Sequence, residues 1–260
     1  MSALAACGAL LQRDVRAVLR SRSQLYSTIL LPLMLLAILG TGVSQGLDPT
    51  LVRDGDYATF LVPGMIAMAV LFSSTFSSAS YYRDRDSGLM RVMLASPHSP
   101  RVILLGKALA GVSIGGLQAL AVLAVAAAIP AIDLEWQHGV IPGIALAAIG
   151  IALLALLLNG FAQVVASRIR TMQGFHLVMN LVLFPLLFFS GAFFPLEDLP
   201  AWLKVLATAN PLSYGVDLLR IAVYDDGSGY FGLPLDLAVL SALAFALFAW
   251  GLQRHPGSHW

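Results

Sequence analysis

Charge is what this chain has least of. Only 11% of its 260 residues are Asp, Glu, Lys or Arg, against roughly a quarter in soluble domains, while 58% are hydrophobic. A mean hydropathy of +0.83 and apolar runs longer than about 18 residues exclude an ordinary soluble domain and call for several membrane spans. Cysteine is nearly missing too. Cys7 stands alone, so no internal disulfide can form, and no CxxC or Cys/His spacing offers a zinc site. Phosphate-cradling loops are absent: around Gly106-Lys107 the GxxxxGK[ST] pattern fails, with Arg101 at the first glycine position and Ala108 at the hydroxyl position. There is no HExxH, and Ser190-Gly191 is not set in a GxSxG elbow. Deep ionisable groups, the mark of proton relays, are scarce as well. Lys107 and His176 lie within a turn or two of the inner boundary, where Lys can snorkel, and Asp236 opens the last apolar run. The chain therefore reads as no enzyme, with no ATP site, cofactor or metal of its own, and nothing in it suggests nucleic acid.

What is present is a series of six apolar segments, approximately Leu25 to Val43, Phe60 to Tyr82, Val102 to Ile129, Val140 to Ala166, Met172 to Phe193 and Leu235 to Leu252. Each is near the roughly 20 residues that cross about 30 Å of hydrocarbon as a helix. An even number puts both termini on one side. Twelve of the 15 basic residues fall on that side, at 13–22, 83–107 and 168–170 and at Arg254, and only Arg53, Lys204 and Arg220 lie opposite. The positive-inside rule then makes both termini cytoplasmic. The predicted architecture is an all-α membrane protein: residues 1–24 an amphipathic interfacial helix, 25–252 one six-span domain, and 253–260 a cytoplasmic tail.

The first span follows four arginines and no small-x-small cleavage site follows it at once, so it reads as a retained span rather than a signal peptide. Before it, Leu4, Cys7, Leu11, Val15 and Val18 cluster on one helical face with Arg13, Arg16 and Arg20 opposite, the pattern of a helix lying in the inner headgroup layer. Tyr26, Tyr81, Tyr82 and Trp250 at inner ends, and Tyr57, Trp136 and Trp202 at outer ones, read as interfacial anchors.

Between the second and third spans runs Arg83-Asp84-Arg85-Asp86-Ser87-Gly88-Leu89-Met90-Arg91-Val92-Met93-Leu94-Ala95-Ser96-Pro97. Asp86 or Ser87 can cap a short helix, Leu89, Val92 and Met93 form an apolar ridge, and Ser96-Pro97 ends it. Two readings stand level: a helix resting on the inner leaflet, or a ridge fitting a groove on a cytosolic protein. The second inner loop, Ser167 to Thr171, carries Arg168 and Arg170 and reads as a topology anchor or a second cytosolic contact.

Polar side chains within spans are few. Gln118, Asn159, Gln163 and Asn180 read as interhelical hydrogen-bonding groups. Ser74 and Ser78, like Ser73 and Ser77, stand four apart on the second span, a spacing that serves close packing or lines a path. Pro185 bends the fifth span, as a gate or as a fixed kink. In the outer loop 195–234, apolar patches at Leu199 to Ala207 and Leu212 to Tyr224 are too short to cross and read as re-entrant helices. Glu197, Asp198 and Asp217 there meet an exiting substrate or face water.

Arg83 to Gly88, the apolar helix, Ser96-Pro97 and Leu104-Leu105-Gly106-Lys107 together resemble the first cytoplasmic loop of the type-2 permeases of ATP-binding-cassette exporters. Val62-Pro63-Gly64, Phe189-Ser190-Gly191-Ala192-Phe193-Phe194-Pro195 and Asn210-Pro211-Leu212-Ser213-Tyr214 extend the likeness over nearly the whole chain, which is most similar to daunorubicin-resistance and nodulation-factor export permeases. The resemblance implies a bacterial inner-membrane permease pairing with a second permease, identical or homologous, and with cytosolic ATPase subunits that hold ATP and Mg. It also implies export of a drug, lipid or glycan-type substrate. Under it, loop 83–101 is the coupling element, with Arg83, Asp84, Arg85, Asp86, Gly88, Leu89, Arg91, Val92, Met93 and Pro97 as contact residues. Ser74, Ser77, Ser78, Pro185, Asn210 and Tyr214 are the path residues it implies. Arg91 departs from the family, which commonly carries glutamate there and longer Glu side chains in place of Asp84 and Asp86. A self-contained secondary carrier and a membrane-embedded enzyme are the alternatives.

Overall fold

The computed structural model describes residues 3–42, 57–95, 99–130, 132, 134, 136, 139–197, 199–224 and 229–253, and among them every regular element is a helix. In order these are α1 (Ala3–Arg20), α2 (Arg22–Gly42), α3 (Tyr57–Asp86), α4 (Leu89–Leu94), α5 (Pro100–Ala127), α6 (Val140–Ala166), α7 (Met172–Phe188), α8 (Ala201–Ala209), α9 (Pro211–Val223) and α10 (Leu233–Gln253). Pro97, Asp198, Arg53 and the tail from Arg254 onward lie outside the described residues.

Five helices, α2, α3, α5, α6 and α10, are long and apolar enough to cross a membrane. The fifth segment read from sequence ends earlier than expected. α7 stops at Phe188 after 17 residues, because the chain from Phe189 to Pro195 turns back and packs on α3. Its Thr171 start is a side-chain cap, with Thr171 Oγ1 accepting from the Gly174 N–H at 3.2 Å.

α3 is the axis of the fold. In its most apolar stretch 89% of residues are buried, against 24% in α2 and 17% in α10, so α3 sits inside and the other two line the perimeter. Its serines explain why neighbours can close on it: Ser73 and Ser74 are fully buried, and small side chains let α5 and α6 approach. The tightest point is Gly111 on α5, where an added Cβ would stand 2.1 Å from Asn159 Oδ1 and 2.8 Å from Ser77 Oγ. Only glycine fits there.

At the outer end, two motifs interlock. Asn210 Oδ1 caps α9 by accepting from the Leu212 N–H at 3.0 Å, while its Nδ2 donates to the Leu186 carbonyl at 2.6 Å. Tyr57 Oη donates to the Phe193 carbonyl at 3.1 Å, and Arg220 Nη2 donates to the Gly191 carbonyl at 2.9 Å with its guanidinium 4.3 Å above the Phe60 ring. The Asn210 bond satisfies a carbonyl in the last turn of α7, and the Tyr57 and Arg220 bonds hold the turn that follows it.

Several expectations are corrected. Tyr57 and Tyr82, read as interfacial anchors, are buried and bonded to main-chain carbonyls. α3 begins at Tyr57, three residues before the Phe60 edge read from sequence, and it takes Pro63 inside it. Asp217 does not face water: it is buried, and its two oxygens accept from the Tyr230 and Phe231 N–H groups, both at 2.9 Å. Of the four polar span residues, Asn159 makes an interhelical bond; Gln118 is buried without a hydrogen-bond partner among the described residues, and Asn180 is exposed.

Candidate functional site at the inner end of α3

α3 runs unbroken from its buried stretch through Arg83, Asp84, Arg85 and Asp86. At 30 residues it is about 45 Å long, so roughly 15 Å of it projects past a 30 Å hydrocarbon layer. The corner that follows needs Gly88, whose φ of 74° lies in the left-handed region. Gly88, not Asp86 or Ser87, holds the N-cap position of α4, and no side chain caps it. Asp86 belongs to α3, and Ser87 Oγ donates back to the Asp84 carbonyl at 3.2 Å, so both candidates are spent on the preceding helix end.

α4 is short, and its ridge faces outward: Val92 is 68% exposed and Leu89 is 36% exposed, with Arg91 exposed and Met93 half-buried. Arg83 is exposed. Arg85 pairs with Asp86 at 3.2 Å and stacks over Tyr82, 5.4 Å from the ring centre.

Asp84 turns the other way, into a network that sequence reasoning did not assemble. Its Oδ2 pairs with Arg13 Nη2 of α1 at 2.8 Å and also with Lys107 Nζ of α5. Asp14, next to Arg13, closes the set, pairing with Arg13 at 2.6 Å and Lys107 at 3.5 Å. Ser80 Oγ takes a further bond from Lys107 Nζ at 3.2 Å. Two cations and two anions from α1, α3 and α5 thus meet at one node in which Lys107 and Asp14 are buried and Arg13 and Asp84 are partly buried. Burial works against the Arg13 cation, but the hydrogen bonds and charges of Asp84 and Asp14 outweigh it, so its pKa lies above the ordinary value.

This node redefines α1. The helix was expected to rest on the headgroups through Leu4, Cys7, Leu11, Val15 and Val18; instead it packs on α5, burying Cys7, Asp14 and Val18. Lys107 likewise does not snorkel: it is buried and paired. The missed signal was the i, i+4, i+7, i+11 run Cys7, Leu11, Asp14, Val18, in which a carboxylate on an otherwise apolar stripe calls for a buried cation.

The second inner loop joins the same end. Tyr82 Oη donates to the Ile169 carbonyl at 2.9 Å, with Ala166 at 3.3 Å. Just above lies a small polar cavity of about 30 Å³ lined by Ser77, Ser78, Ser80, Lys107, Asn159 and Gln163, among others. Ser74 lies one turn further from Tyr82 along α3, its Oγ accepting from Asn159 Nδ2 at 3.0 Å. The remaining path residues are elsewhere. Pro185 lines an apolar groove of about 480 Å³ on the exposed side of α7, and Tyr214 donates to the Thr208 carbonyl at 2.8 Å and stacks on Phe231 at 4.4 Å. The serines and Asn159 form one group; Pro185, Asn210 and Tyr214 belong to the outer end.

The family model described as ABC-2 type transporter matches residues 5–224. The chain belongs to the ABC-2 type transporter family. The match begins in α1 and ends just after α9, so it takes in the node, α4 and both outer motifs. The chain is similar to nodulation protein J of Bradyrhizobium diazoefficiens, with 30% identity over 224 residues covering 84% of this chain and 83% of the relative. Nodulation protein J of Sinorhizobium fredii is 28% identical over 221 residues, with 84% and 82% covered. The probable multidrug ABC transporter permease YbhR of Escherichia coli is 27% identical over 202 residues, 74% of this chain; the chain spans about half of that relative's length, 53%. Family membership and the five membrane-capable helices make this a membrane transport protein.

Proposed function

We propose that the chain is the permease subunit of an ATP-driven exporter, spanning the bacterial inner membrane six times with α7 as its shortened fifth span and both termini in the cytoplasm. It works with a second permease, identical or homologous, and with separate cytosolic ATPase subunits that carry ATP and Mg. The observation that carries this reading is the continuity of α3 with an exposed apolar α4. A rigid helix about 45 Å long leads into a ridge, Leu89 and Val92, that stays exposed among the described residues. Such a ridge fits a groove on a moving partner, and motion there is passed along α3 to the spans around it.

Arg83, Arg85, Asp86, Arg91, Met93 and Pro97 complete the partner-facing segment. Asp84 faces inward and transmits the motion to α1 and α5. The path is proposed to run beside Ser74, Ser77, Ser78 and Asn159, and Pro185, Asn210 and Tyr214 shape its outer end. The relative named as a multidrug permease favours a drug as cargo, and a lipid or glycan-type substrate is proposed beside it on the resemblance to nodulation-factor exporters.

Co-expression with the cognate ATPase tests this. Val92→Asp should leave membrane insertion and ATP hydrolysis in place while lowering vanadate-sensitive transport at least tenfold. Transport by the chain alone on a proton gradient, or full transport by Val92→Asp, would overturn it.

A further inference from the structure

With its Cys7–Asp14–Val18 edge turned onto α5, α1 presents the opposite face outward, and that face is basic and concave. Ala9, Gln12, Arg13, Arg16, Ala17 and Arg20 line a groove of about 440 Å³. The concavity has a simple origin. Ala9 and Ala17 leave the floor low, while the long stems of Arg13, Arg16 and Arg20 rise as walls at three- and four-residue spacing on one helix face. Arg13 is engaged by Asp14 and Asp84, but Arg16 and Arg20 are exposed and make no ion pair among the described residues. Two guanidinium groups and the Gln12 amide therefore converge on open space, and planar guanidinium forks suit phosphate oxygens.

The groove also lies at a defined depth. Ser21 is the sole non-helical residue between α1 and α2, and the membrane-capable part of α2 starts at Gln24, so Arg20 stands about one helical turn, four residues, from the start of a span. A ligand there carries its charge at the surface and its apolar part in the bilayer.

We infer that this groove binds the phosphodiester headgroup of an anionic phospholipid, with Arg16 and Arg20 as its principal ligands and Gln12 as a neutral donor. The lipid braces α1 beside Arg13, the residue shared by the groove and the Asp84 node. The inference rests on the inner-side placement proposed above, but its test needs neither orientation nor ATPase, so its failure leaves the transporter reading standing.

Native mass spectrometry of the detergent-solubilised full chain, titrated with phosphatidylglycerol or phosphatidylcholine, reads the site directly. The wild type should retain phosphatidylglycerol at least fivefold better than phosphatidylcholine, and millimolar inorganic phosphate should not displace it. Arg16→Gln with Arg20→Gln should bring that preference to within twofold, while the Lys counterparts of both keep most of it with an unchanged far-UV spectrum. Equal retention of the two lipids by the wild type, or undiminished preference in the Gln variant, would overturn the site. Displacement by inorganic phosphate would make it a free-anion site.

Discussion

Tyr82 Oη donates to the Ile169 carbonyl at 2.9 Å, joining the last turns of α3 to the loop between α6 and α7. The loop between α6 and α7 is thus fastened to the end of α3 that leads into α4, with Arg85 stacked on the same tyrosine. Tyr82→Phe keeps the ring packed against Phe175, 5.4 Å away, and removes only the donor. The variant should lose about 1 kcal/mol of stability and be read by thermal unfolding in detergent. Transport should fall more than ATPase binding does.

Asp84→Asn leaves Lys107 and Arg13 sharing the single carboxylate of Asp14. Removing one member of a buried charge set costs about 3 kcal/mol, because the others stay desolvated. Adding Lys107→Met to Asp84→Asn should restore more than half of the loss. A double-mutant cycle on unfolding temperature checks this, and additive losses would show that the two residues do not interact.

Gly111→Ala tests the closeness of α5 to α6. Its methyl would stand 2.1 Å from Asn159 Oδ1, so the amide must move and release Ser74. A destabilisation of about 1–3 kcal/mol is expected, from overpacking at a tight site. Combining it with Asn159→Ala, which empties the obstructed space, should make the alanine at 111 nearly neutral.

Asp217→Ala should free the segment at Tyr230 and Phe231, whose N–H groups the carboxylate holds at 2.9 Å. Bonds to a charged acceptor contribute about 1.5–3 kcal/mol. Limited proteolysis of the purified variant should show faster cutting between 229 and 232, with the rest of the chain cut as in the wild type.

Much of the architecture was legible because apolar run length is a strong signal. The edges of the third and fourth segments fall close to α5 and α6, and the break at Asn210-Pro211 separates α8 from α9 as its capping chemistry demands. The fifth segment overran because Phe189, Ala192 and Phe193 are as apolar as a helix interior, although they form a turn in which Ala192 and Phe193 are buried against the rest of the fold. The candidate site was half visible. The exposed ridge of Leu89 and Val92 follows from local spacing, whereas the node joins Arg13 to Asp84 across 71 positions and Lys107 to Asp14 across 93. Local periodicity carries no information about pairings at that range, so Asp84 read as one of the contact residues of loop 83–101.

The node has a consequence for how this sequence can change over generations. Arg13 and Lys107 together balance Asp14 and Asp84, so any single substitution that alters charge at one of them strands an opposite charge in a poorly solvated place. Exchange at these positions is therefore expected in compensating pairs, with charge sum held at zero, while Leu89 and Val92 outside can vary with whatever surface they meet. Across relatives, the inner node should co-vary within the chain and the outer ridge with the partner's sequence.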